Sequence, residues 1–195
     1  LPQTILLLCV VMPAWFAAGF ADWALHRRAR IERNAGVRES VLHIVMLAEI
    51  GIPILAVILL EFNAGVLALC LLAFAMHEVT VYLDLRWAAP RRTITPLEQM
   101  VHSVQEMLPV AALALLASLY WEASLSLLGV GQREAAFAPV LRADAPPLGY
   151  LSVLTATSVL LGACYLEELW RCIRHRRGGA PGRTTTADGP DLSER

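Results

Sequence analysis

Five stretches of this chain, residues 4–25, 40–61, 64–85, 99–121 and 149–170, are each close to the length that a lipid bilayer demands of a helix. At 1.5 Å rise per residue, about 20 mainly apolar residues cross the hydrocarbon layer. Lipid offers no partner to a backbone N–H or C=O, so each stretch must form its own helical hydrogen bonds. Composition agrees: 57% of the residues are hydrophobic, 17% are charged, and the mean hydropathy is +0.56, well above that of ordinary soluble domains. The expected fold is all-α, a polytopic transmembrane helical bundle of about five spans with a four-helix core. It covers residues 1–172, with a disordered tail at 173–195.

The apolar stretch from Thr4 to Phe20 has no basic region before it and no cleavage pattern after it, so it reads as a retained span. Pro13, Pro53 and Pro109 lie inside three spans and predict bends there. Cys9, Cys70, Cys164 and Cys172 are scattered through apolar sequence, which speaks against a disulfide framework or a zinc finger. A net charge of -1 offers nothing to a nucleic acid.

Every basic residue is Arg, and all but Arg133 and Arg142 fall in the 26–39 loop, the 86–98 loop or the segment after the fifth span. With five spans these three segments share one side, which the positive-inside rule makes cytoplasmic. The sequence therefore predicts an inner-membrane protein with its N-terminus outside and its C-terminus in the cytoplasm. Trp87, Trp121 and Trp170 fall at the expected interfaces, where amphipathic rings belong.

The informative polar residues are four histidines, one in or beside each of the first four spans, each with a carboxylate on its own helix face. Asp22 and His26 are spaced i,i+4, as are Glu39 and His43; His77 and Asp84 are i,i+7; Glu98, His102 and Glu106 form an i,i+4,i+8 row. At ~100° per residue, one such step rotates the side chain by only about 40° or less. Spans 1 and 3 run inward and spans 2 and 4 outward, so all four groups fall at the cytoplasmic ends. Antiparallel helices joined by short loops pack as neighbours, which brings the groups together and leaves span 5 outside the site. His77 and Glu106 lie deepest, about 13–15 Å in from the loop edges.

Imidazole with carboxylate suits iron, zinc or manganese, and the candidate ligands are Asp22, His26, Glu39, His43, His77, Asp84, Glu98, His102 and Glu106. This set exceeds what one tetrahedral zinc needs and is enough for two ions. Glu49 and Glu78 are deep but turned from their neighbouring histidines, which fits proton transfer, and Tyr82 stands between His77 and Asp84 as a candidate redox or hydrogen-bonding phenol. Across residues 22–106 the arrangement resembles membrane-bound di-iron oxidases and hydroxylases, where four helices point Glu and His inward. It departs from them in spacing: there is no Glu-x-x-His, HxxxH or HxxHH box.

That resemblance implies a di-metal oxidoreductase, iron first, acting on a lipophilic substrate that enters from the membrane lipid. A metal-dependent hydrolase is the alternative within enzymes. Outside them stand a metal or proton transporter and a haem-binding carrier with His43 and His102 as axial ligands, although a carboxylate beside each histidine argues against haem. The plainer reading is a carboxylate–imidazole network that only fixes helix packing. Arg33, Arg38, Arg91 and Arg92 read as cytoplasmic anchors, and Glu167 with Glu168 as a solvated helix end near Arg171.

Overall fold

The computed structural model describes residues 2–144 and 146–178 of the 195-residue chain. Each apolar stretch is a helix: α1 Pro2–Ala29, α2 Gly36–Leu59, α3 Ala64–Ala88, α4 Pro96–Leu119 and α5 Leu148–Gly178. All five are long and apolar enough to cross a membrane, and no named strand occurs among the described residues. The α5 helix runs past the expected boundary at residue 172, and the tail from 179 lies outside the described residues.

The large side chains at the surface are apolar: Ile52, Leu55, Leu72, Met76 and Val79 are all more than half exposed. The interior instead holds Asp22, His26, Glu39, His43, His77, Asp84, Glu98 and Glu168. Such an inverted distribution fits a bundle whose solvent is lipid, because a soluble protein would hide the first set and hydrate the second.

Local sequence explains where the helices stop and bend. The α1 helix leaves its left-handed cap at Arg30, and Asn63 caps α3 by accepting from the Val66 N–H at 3.1 Å. At the start of α4, Thr95 Oγ1 accepts from the Glu98 N–H at 3.2 Å, and Glu98 Oε2 accepts from the Thr95 N–H at 3.4 Å. This reciprocal cap fixes the first turn of α4 and with it the direction of Glu98. Leu7–Val11 of α1 is π-helical, and Pro53 and Pro109 lie inside α2 and α4, which continue as helix on both sides of them.

After α4 the chain forms a short helix, Trp121–Leu127, then crosses the α2–α3 turn as a strap. The Gly65 N–H donates to the Ala136 carbonyl at 3.0 Å, Glu61 N–H to Val140 at 2.8 Å, and Arg142 N–H to Leu59 at 2.9 Å. A Cβ on Gly65 would stand 2.9 Å from the Phe137 Cα, and backbone cannot swing aside as a side chain can. Gly65→Ala is therefore expected to cost about 1–3 kcal/mol, the usual range for overpacking. Thermal unfolding in detergent checks this, with Gly51→Ala as the comparison, since nothing lies within 4 Å of a Cβ there.

Helix neighbours follow a ring: α4 packs on α1, α1 on α5, α5 on α2, α2 on α3, and α3 closes more loosely on α4. The expectation that span 5 lies outside the site is thus overturned; α5 wedges between α1 and α2. Gly19 allows it, since its missing side chain lets Leu161 approach to 3.0 Å of where a Cβ would sit. Phe16, Leu161 and Tyr165 form the apolar contact above, and Leu161, Tyr165, Glu168 and Cys172, spaced 4, 3 and 4, all turn to the interior.

Candidate metal centre

His26 is fully buried at the centre of the bundle's basic end. One turn of α1 places Asp22 beside it, with Asp22 Oδ1 3.5 Å from His26 Nε2. The same oxygen lies 2.9 Å from His102 Nε2 of α4, and Tyr165 of α5 donates its hydroxyl to Asp22 Oδ2 at 3.2 Å. Asp22, His26 and His102 together present ligand atoms within 4.8 Å of one another.

From α2, His43 stacks face to face on His26, with ring centroids 4.4 Å apart and planes 7° from parallel. Its Nε2 faces Asp84 Oδ2 of α3 at 3.7 Å, and Glu39, His43 and Asp84 make a second compact group. The two groups share no residue. Glu168 of α5 links them, with Oε1 2.8 Å from His43 Nδ1 and Oε2 3.4 Å from His26 Nδ1. Both histidines thus turn Nδ1 to one carboxylate and Nε2 to an aspartate.

Arg92, in the loop before α4, reaches into this end of the bundle with its side chain only 3% exposed. It binds Glu39 Oε1 through Nε at 2.9 Å and Glu98 Oε1 through Nη1 at 2.6 Å. Burial opposes its charge, but Glu39 and then Glu98 hold the guanidinium pKa above its ordinary value. The sequence expectation of a cytoplasmic anchor is corrected here: Arg92 is part of the buried cluster.

His77 and Glu106 belong to none of these groups. They line an adjoining cavity of about 70 Å³ together with Asp22, His43, Asp84 and His102. His77 Nδ1 faces Glu49 Oε2 at 3.7 Å, and Thr80 donates to Glu49 Oε1 at 2.8 Å. So Glu49 meets the histidine of the next helix, while Glu78 stands half-buried, its Oε1 without a hydrogen-bond partner among the described residues. Tyr82 is 60% exposed and turns outward, so the phenol beside the cluster is Tyr165 instead.

Two further expectations change. Only Asp22 and His26 come within 4 Å as an expected pair on one helix, and even His26 has a nearer carboxylate on another, Glu98 at 3.3 Å; every histidine of the cluster takes its nearest carboxylate from a different helix. Glu167 and Glu168, adjacent in sequence, have different fates. Glu167 stays partly exposed and binds Arg27, Trp23 and Arg171, as a solvated helix end should. Glu168 is fully buried. No sequence spacing marked it, because Glu168 stands among the charged residues of a helix end, beside Glu167 and near Arg171.

Burying so many polar groups requires partners, and several atoms have none among the described residues: both ring nitrogens of His26, Glu39 Oε2 and Asp84 Oδ1. A buried group in this condition costs ~1–3 kcal/mol unless something completes it. A cation held between imidazole nitrogens and carboxylate oxygens would do so, and the donor types are those of iron, zinc or manganese.

The fold and the cluster together define a class: five apolar helices that fit an integral membrane protein, with buried histidines and carboxylates that could hold a metal ion. Comparison with protein-family models, with curated proteins and with solved structures finds no match.

Proposed function

We propose that this protein is a membrane metalloenzyme, an oxidoreductase that binds two divalent ions, with iron the first candidate, and acts on a lipophilic substrate. One ion would be held by Asp22, His26 and His102, the other by Glu39, His43 and Asp84. The observation that carries this reading is charge. Asp22, Glu39, Asp84, Glu98 and Glu168 are five buried carboxylates, and Arg92 is the one buried guanidinium beside them. Fully ionised, they leave four negative charges, which two divalent ions neutralise with every histidine neutral.

Protonated histidines are the competing source of positive charge. The His26–His43 stack disfavours them, because two imidazolium rings 4.4 Å apart repel. Neutral rings with their Nδ1 protons directed to Glu168 keep both Nε2 lone pairs free for metal, the usual arrangement of a carboxylate behind a metal-bound histidine. Glu39 Oε1 is taken by Arg92, which leaves its unpaired Oε2 as the ligand atom.

Paired iron ions supply oxygen activation and electron transfer. The chain's own residues would do the rest: Glu49, with His77 behind it, and Glu78 carry protons, and the apolar helices admit substrate from the membrane while excluding water. In this reading the cluster faces the cytoplasm, since the arginine-rich loops lie at its end of the bundle. Metal analysis of detergent-purified protein with visible and electron paramagnetic resonance spectra tests it. Iron with a redox-dependent signal supports the oxidoreductase; zinc with neither signal would move the chemistry to metal-assisted hydrolysis.

A further inference from the structure

Beyond the cluster, toward the opposite end of the bundle, lies a cavity of about 120 Å³ with almost no polar surface. Three backbone irregularities border it. The π-helical turn supplies Leu7, Leu8 and Val11, and the two prolines inside helices, Pro53 of α2 and Pro109 of α4, stand on its wall. A π-helical turn widens its helix, and a proline inside a helix removes one backbone hydrogen bond. That three of them border one cavity marks the space as built into the fold.

Trp15 connects this space to the chemistry, because it lines both the apolar cavity and the polar one of Asp22, His43, His77, Asp84, His102 and Glu106. The two cavities thus lie end to end along the bundle. A dry apolar cavity of similar size takes up a molecule like benzene, so this one has room for on the order of six carbons. It is also partly open, so a longer chain can continue outward into lipid.

We propose that the substrate is a lipid with a single hydrocarbon chain, held inside the bundle with its tail past Trp15 and its small polar head in the cavity beside the cluster. This deepens the proposed function and rests on it only for the reaction at the head. The site would then act at or next to the polar end of the chain, since the histidines and carboxylates line the cavity at that end, while the apolar cavity carries only Cys70 and Tyr150 among its aliphatic and aromatic walls. His77, which lines the polar cavity with His102 and Glu106, is placed to meet the head group.

Photolabelling with a palmitic acid analogue that carries a mid-chain diazirine tests the proposal on the detergent-purified protein. Cross-links are expected on the α1 peptide from Leu7 to Trp15 and the α4 peptide from Leu108 to Leu116. Ala112→Phe, which fills the cavity wall, should lower that labelling by about tenfold at unchanged metal content. Leu55→Phe, on the outer surface, should leave it unchanged. If Ala112→Phe fails to fold, competition by unlabelled palmitic acid in the unsubstituted protein replaces it and should abolish the same cross-links. Labelling that persists in a His102→Ala variant stripped of metal would support the chain site independently of the metal reading. Cross-links scattered over Ile52, Leu55 and Leu59, indifferent to Ala112→Phe or to competitor, would overturn it.

Discussion

Glu168→Ala is expected to weaken metal binding roughly 10- to 100-fold, the usual effect of removing a carboxylate that orients metal-bound histidines. The neighbouring Glu167→Ala should change it little. Glu168 lies against Nδ1 of both His26 and His43, so its loss loosens two rings at once and leaves the His43 Nδ1, bonded to it at 2.8 Å, buried without a partner. Glu167 bonds Arg27 and Trp23 at a partly exposed edge, where ion pairs contribute ~0–1 kcal/mol. Titrating both variants with iron and zinc, against a chelator of known affinity, measures the difference. Glu168→Gln separates charge from shape, since the amide can fill the space and accept one hydrogen bond but lacks the carboxylate's charge.

Arg92→Leu should have the largest effect on stability. It would leave Glu39 and Glu98 buried side by side without their shared guanidinium, and breaking a buried ion pair from one side costs about 3–5 kcal/mol. Arg92→Lys should recover only part of the loss, because an ammonium lacks the planar fork that reaches both carboxylates. Arg86→Leu, at an exposed position, is the control and should stay within about 0.5 kcal/mol. Unfolding of the metal-free protein in detergent, followed by circular dichroism, gives the comparison.

These two residues also mark the limit of what the sequence could reveal. The helices were legible because lipid imposes a length and a composition, and both are visible without any tertiary knowledge. Asp22, His26, Glu39, His43, Glu98 and His102 were legible as a convergent set because helical periodicity fixes which residues share a face. Partner choice was not. Glu39 to His43 satisfies the same rule as Asp22 to His26, yet Glu39 turns to Arg92 and His43 to Glu168 and Asp84.

The role of α5 was hidden for a related reason. Loop lengths said that consecutive helices should be neighbours, but α5 inserts between α1 and α2 through the gap left by Gly19, and one glycine in an apolar span gives no directional signal. The pair Glu167–Glu168 looked like any charged helix end. One residue, a rotation of ~100°, separates a solvated carboxylate from a fully buried one. Likewise Tyr82 shares the polar neighbourhood of His77 in sequence but faces outward, while Tyr165, distant in sequence, lies against Asp22.

The most direct test of the account is metal stoichiometry in the purified chain and in two histidine variants. Two ions per unsubstituted chain are expected. His102→Ala should lose one of them, since His102 belongs to the Asp22–His26 group. His77→Ala should keep both, because His77 borders the cavity without joining either group. An unsubstituted protein that binds no iron, zinc or manganese above background, or a His77→Ala variant that loses metal while His102→Ala keeps it, would contradict the account.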